Sequence, residues 1–304
     1  MMPARALLLA LLAWPLMAGA APFENSRFET IAGVSVHVRH WPAAPSAEAG
    51  CPVLLVHGFA GNTFSFRELA PALAAAGHEV WALDLPSYGY SERRPFPGTA
   101  GDALIPWLQE RGQGWCLLGH SMGTRVVGEL VRRMPGEVAA AVYVAGNPIL
   151  SDKELRSRER YKSPRLRRFL AGLAESRYLS SPERIGDVLS KAYGRPASDE
   201  EISGYLTPLQ PPGSALAIMN GYSAIWPPNA TGEVLDRTPT LIVWGEKDAW
   251  VKPEVAKRLQ LALPSATRVT IAGAGHLPME THARETADAV LARFHAAPPL
   301  ARQD

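Results

Sequence analysis

Cysteine is scarce in this chain, with two in 304 residues. Two cannot staple a small loop-rich scaffold, so the fold must rest on a packed core. Neither sign of charge is in excess: 31 Lys and Arg stand against 29 Asp and Glu, a formal net charge of +2. That excludes a generic nucleic-acid binder, which needs a clustered basic surplus. No segment repeats at a fixed period, which excludes a solenoid or propeller. The eight histidines form no H-E-x-x-H, the cysteines no C-x-x-C, and no G-x-x-x-x-G-K occurs. Metal and nucleotide chemistry therefore lack their usual motifs, and neither a metal nor any other cofactor is expected. What the chain does have is apolar mass. With 47% hydrophobic and 20% charged residues it has the makings of a sizeable core, in one large domain or two small ones.

Residues 1–20 have the anatomy of a secretory signal peptide. Arg5 gives a short positive start, and Ala6 to Ala18 is an uncharged run of 13, short of the ~20 residues a membrane helix needs. Ala18 and Ala20 set small residues at −3 and −1 of a cut before Ala21. The expected product is an exported protein, periplasmic or secreted. In an oxidising compartment Cys51 and Cys116 could form one disulfide if their strands are neighbours, or remain two buried thiols.

The pattern beyond alternates strand with helix. Phe28–Ala32 and Val34–His40 alternate apolar and polar residues around Gly33, as in a hairpin. Val53–Val56, Val80–Leu83, Trp115–Leu118, Ala139–Ala145 and Leu241–Trp244 are short apolar runs of the kind that strands covered on both faces show, and Arg268–Ile271 reads as a further strand. Helical periodicity fills Phe64–Ala76, Met122–Met134, Pro253–Leu263 and Glu280–His295. Such alternation gives an α/β fold with a mostly parallel, doubly wound sheet of about eight strands. Regularity lapses between Ser151 and Thr238, where helical and Pro-rich segments suggest an insertion. The expected organisation is a core of residues 21–147 and 239–304, with residues 148–238 as a helical cap.

Chemistry gathers where these strands end. Gly119-His120-Ser121-Met122-Gly123 follows a strand and opens a helix, the setting in which G-x-S-x-G carries meaning. Glycines two residues to either side relieve the crowding of a sharp turn that presents the Ser121 hydroxyl near a helix N-terminus. A serine needs a base held by a carboxylate to become a nucleophile. His276 follows the last strand, and Asp248 the one before, giving the order Ser121, Asp248, His276. Asn147, at the other place an acid can occupy, has no charge, and Glu246 is expected to face away. His57-Gly58-Phe59 offers the Phe59 amide, with that of Met122, as oxyanion donors. His57 lacks a carboxylate and reads as a brace for its loop, and His120 as structural.

Together with Asp84-Leu85-Pro86-Ser87-Tyr88-Gly89-Tyr90-Ser91, Trp244-Gly245-Glu246-Lys247-Asp248 and Gly275-His276, these motifs resemble the α/β-hydrolase superfamily in its serine-nucleophile branch. The likeness runs from about residue 28 to 296. The loop Asn62-Thr63-Phe64-Ser65-Phe66 looks like that of haloalkane dehalogenases and epoxide hydrolases, but those carry aspartate where Ser121 stands. The resemblance implies that the strand ending at Gly58 lies beside the strand leading to Ser121, which favours a Cys51–Cys116 disulfide. It also implies that residues 148–238 cover the active site. Within them Leu206, Met219, Tyr222 and Trp226, with Phe59, are expected to wall an apolar pocket. Lys153 to Arg168 holds eight basic residues against Glu154 and Glu159; it reads as a solvated face or one weakly attracted to an anionic membrane surface, without a stripe that would insert. The expected partner is a small, mainly apolar ester rather than a nucleic acid. The rivals are carbon–carbon bond hydrolysis by the same three residues and a non-catalytic binding protein that keeps the fold.

Overall fold

In the short apolar runs of this sequence every side chain is buried, but successive ones go to opposite faces. Leu54 and Val56 of strand β3 (Val53–Val56) join one core, while Val53 and Leu55 join the other. The same division recurs in β5 (Trp115–His120) and β7 (Thr240–Gly245), as the two-residue period of a strand requires. Two apolar faces demand helices on both sides of the sheet. The computed structural model describes residues 21–45, 47–224 and 230–297. The twenty residues read as a signal peptide lie outside them.

The remaining strands are β1 (Ser26–Ile31), β2 (Val34–Trp41), β4 (Val80–Leu83), β6 (Val138–Val144) and β8 (Thr267–Ile271). One eight-stranded sheet runs in the order β1-β2-β4-β3-β5-β6-β7-β8. The β1–β2 and β2–β4 pairings are antiparallel, and all others are parallel. Cys51 and Cys116 are joined by a disulfide with 5.9 Å between Cα atoms. It lies at the amino ends of neighbouring strands, where Val53 is in register with Cys116.

Core helices are α1 (Leu69–Ala75), α2 (Ala100–Gln109), α3 (Gly123–Arg133), α10 (Glu254–Ala262), α11 (Pro278–Thr281) and α12 (Ala283–His295). Two of the expected helices are shorter or divided. The run Phe64–Ala76 is a 3₁₀ turn over Thr63–Phe66 followed by α1, because the Asn62 side chain accepts the Phe64 N–H and the Asp84 carboxylate accepts the Thr63 N–H. The run Glu280–His295 breaks at His282, whose backbone is not helical, into α11 and α12. Helix α2 was not anticipated; it carries Gly101 and Pro106 in its interior, yet Thr99 and Asp102 cap its start reciprocally.

Between β6 and β7 the described residues form α4 (Asp152–Tyr161), α5 (Pro164–Ala174), α6 (Pro182–Tyr193), α7 (Asp199–Leu206), α8 (Ser214–Ala224) and α9 (Gly232–Leu235). A wider π-helical stretch, Glu175–Leu179, continues α5. Helices α5 and α8 pack together, as do α6 and α7, while α9 packs on α3 with Leu235 in the core.

Candidate active site

Ser121 occupies a backbone conformation that side chains rarely accept, with φ of 49°. It caps β5, from which its N–H bonds to the Val144 carbonyl at 2.8 Å. Only glycine fits on either side. A Cβ on Gly119 would stand 2.6 Å from the Gly123 carbonyl oxygen, and one on Gly123 would stand 2.3 Å from that of Val56. Neighbouring strands thus close on the turn and hold the hydroxyl at the carboxyl edge of the sheet. Ser121 Oγ has no hydrogen bond among the described residues. Bonds of this kind are commonly long in unliganded enzymes and tighten around substrate.

His276 and Asp248 reach the same edge from the loops after β8 and β7. His276 Nδ1 donates to Asp248 Oδ2 at 2.8 Å, and both side chains are buried. Asp248 Oδ1 accepts the N–H groups of Trp250 and Val251 at 2.8 and 2.9 Å. Both its oxygens therefore face fixed donors, and Nε2 of His276 is left as the lone-pair nitrogen. Glu246 is exposed and accepts the Gly273 N–H at 2.8 Å, bracing the turn before His276 without touching the imidazole. The backbone of His276 is clamped as well. Its N–H meets the Ala192 carbonyl of α6 at 2.6 Å, and its carbonyl accepts His120 Nε2–H at 3.0 Å.

The other two histidines are occupied. His57 Nδ1–H donates to the Gly58 carbonyl at 2.7 Å while its Nε2 accepts the Leu85 N–H at 2.9 Å. Burial pushes its pKa down, so it stays neutral and ties the end of β3 to that of β4. His120 is pushed further down, chiefly by burial and then by the nearby His276. Phe59 and Met122 both face the cavity in front of Ser121. Neither of their amides donates to a side chain or to a loop or turn carbonyl among the described residues.

That cavity has a volume of about 690 Å³, within the usual range for a small-molecule site. Phe59, Met219 and Tyr222 line it, and Tyr222 meets the edges of Phe59 and Tyr161 at 5.2 and 5.1 Å between ring centres. Leu206 does not line it. At the end of α7 it is buried with Phe64, Tyr205 and Leu189 in the core on the other face of the sheet. Trp226 lies outside the described residues. The walls that sequence reasoning missed come from α5 and its extension (Leu170, Leu173, Tyr178) and from α10 (Val255, Arg258). Leu170, Leu173 and Ala174 carry the i, i+3, i+4 spacing that could have marked that helix face. Arg125, one turn after Ser121, also lines the cavity and pairs with Glu154 at 3.1 Å. Among the described residues no group of three His, Cys, Asp or Glu could hold a metal ion.

Comparison with known proteins fits this geometry. A family model described as the alpha/beta hydrolase fold matches residues 52–283. The chain belongs to the alpha/beta hydrolase family. It is 27% identical over 261 residues to the uncharacterized hydrolase YugF of Bacillus subtilis, covering 83% of this chain and 91% of that protein. It is 26% identical over 260 residues to Lipase 3 of a Moraxella species, covering 79% and 76% respectively. Among solved structures, a meta-cleavage product hydrolase from Pseudomonas fluorescens superposes with a TM-score of 0.69 at 17% identity, over 88% of this chain and 97% of that one.

This alpha/beta hydrolase has a second buried cluster four residues beyond His276. Glu280 accepts Arg67 and Tyr193 on Oε2 and Tyr205 on Oε1, the Tyr193 contact being 2.8 Å. Burial raises the Glu280 pKa, against the pull of Arg67. Arg67 and Arg195 in turn approach Glu201 at 3.4 and 2.7 Å. The cluster bolts α6 and α7 to the core beside the His276 loop. No motif announces it, because its members are scattered from residue 67 to residue 280.

Proposed function

We propose that this protein is an exported serine hydrolase that cleaves carboxylic esters with a mainly apolar acyl or alcohol group. The observation that carries this reading is the strained Ser121 turn, opening on a 690 Å³ cavity at the sheet edge that also bears the His276–Asp248 pair. Ser121 Oγ attacks the ester carbonyl carbon as His276 Nε2 takes its proton. Asp248 keeps the Nδ1–H tautomer and stabilises the imidazolium. The amides of Phe59 and Met122 hold the oxyanion. His276 then protonates the leaving alcohol, and a water attacks the acyl-serine by the same route. The aromatic and aliphatic walls favour an uncharged group, and similarity to a lipase supports an ester as the cleaved bond. Export is supported by the pattern of residues 1–20 and by the Cys51–Cys116 bond, since disulfides persist in oxidising compartments.

Hydrolysis of p-nitrophenyl acyl esters of graded chain length tests the reading. Ser121→Ala should lower kcat on the order of 10⁶-fold. Equal turnover by the two proteins would sink it.

A further inference from the structure

Helix α5 shows two faces that do not suit a free protein surface. Its inner side, through Leu170, Leu173 and Ala174, lines the cavity, with Tyr178 following in the π-helical stretch. At the rim Leu173 is 43% and Tyr178 38% exposed, and Phe169, which does not line the cavity, is 68% exposed on the outer side. Phe169 and Leu173 are one helical turn apart, and Tyr178 stands about one turn further in the wider helix. Three large apolar groups therefore follow the lip of the cavity in a row.

The segment that carries this row is basic. From Asp152 to Arg184 the sequence has ten Lys and Arg against five Asp and Glu, a surplus of five in a chain whose total is +2. Arg167 is used internally, bonding to Asn220 and to the Tyr161 and Lys162 carbonyls. Arg165 and Arg168 flank Phe169, are exposed, and have no ion-pair partner among the described residues. Among those residues no helix is long and apolar enough to cross a membrane.

We propose that the outer face of α5 and its π-helical extension docks on an anionic phospholipid surface, with Arg165 and Arg168 at the headgroups and Phe169 below them. An acidic protein would satisfy the arginines, but it would leave a row of exposed Phe, Leu and Tyr unexplained. A bilayer interface matches both, because cations sit among anionic headgroups while aromatic and aliphatic groups enter the acyl boundary. Docked in this way, the cavity mouth would meet the lipid. Surface binding is a property separate from the ester chemistry proposed above, and Ser121→Ala keeps the two apart.

The test is co-sedimentation of residues 21–304, the product expected after removal of the first twenty, with vesicles of phosphatidylglycerol and phosphatidylcholine, and with vesicles of phosphatidylcholine alone. Binding is expected to the anionic vesicles at low salt, weakened at high salt, and undiminished in Ser121→Ala. The double variant Arg165→Glu/Arg168→Glu should bind about 30-fold or more weakly, at roughly a factor of five per lost cation. Phe169→Ser should bind about tenfold more weakly. Both variants should retain the wild-type melting temperature and the wild-type turnover of a short, water-soluble ester. No binding to anionic vesicles at low salt would overturn the proposal. So would undiminished binding by either variant, or equally tight binding of soluble polyglutamate that Phe169→Ser leaves unchanged, which would point to an acidic protein instead.

Discussion

Lowering the pH from about 7.5 to about 5.5 is expected to destabilise the fold through His120, whose imidazole is buried beside His276 and donates Nε2–H to its carbonyl. In the unfolded chain that imidazole titrates near its ordinary value of 6.5, whereas burial holds it well below that in the folded protein. The folded state therefore binds fewer protons. Its full contribution is present above the unfolded value and drains away as pH falls through the window below it. Across these two pH units the unfolded state takes up most of one proton, which costs the fold about 1.4 kcal/mol. For a chain of this size that is roughly 2 °C in melting temperature. The assay compares thermal melts of wild type and His120→Gln at both pH values. Glutamine keeps an N–H donor for the His276 carbonyl but cannot titrate. His57, also buried and neutral, loses stability in both proteins alike, so the difference between the two pH shifts isolates His120. An equal shift in wild type and variant would refute the reasoning, because it would mean that the imidazole accepts its proton without unfolding.

Other expectations follow from the same geometry. Asp248→Asn should lower kcat about 10⁴-fold by removing the charge opposite the imidazolium, while Glu246→Gln should change it only a few-fold; a larger loss in the second, measured on the same ester, would reassign the acid. Reducing the Cys51–Cys116 bond, which spans 65 residues, should cost about 4 kcal/mol in denaturant melts on chain-entropy grounds. Arg67→Ala strands Glu280 in the interior and should cost about 3–5 kcal/mol near neutral pH. Since the folded pKa of Glu280 is raised, that deficit should shrink as acid neutralises the carboxylate. A deficit that grows in acid would contradict it.

Much of the frame was legible because it rests on local rules. Val53–Val56 and Val80–Leu83 coincide with β3 and β4, since an uninterrupted apolar run of four between polar or glycine punctuation has few other ways to be buried. The turn at Ser121 was legible for a steric reason, two glycines at the two points where backbones close in. Asp248 stood out against Glu246 through its place in a loop, and the structure brings Asp248 to His276. The pocket was less legible. Composition marked Leu206 as a wall, but a leucine in an amphipathic helix goes wherever its face packs, and α7 turns it into the core. The spacing of Leu170, Leu173 and Ala174 marks an apolar face on α5, but Tyr178 and Val255 became walls only through the placement of the π-helical stretch and α10, which no local pattern records. Helix α2 escaped notice because Gly101 and Pro106 disfavour a helix locally, while its reciprocal cap and burial against α3 outweigh them.

The bond between the Ala192 carbonyl and the His276 N–H divides the insertion into parts of unequal freedom. A designer grafting helices from a relative to test the proposed ester specificity could exchange α4 and α5 as a cassette, because among the described residues neither bonds to the His276 loop. Exchanging α6 would disturb the carbonyl that accepts the His276 N–H. Under the proposed function, substrate range and catalytic competence would lie in different stretches of one insertion, and the first could drift without spoiling the second.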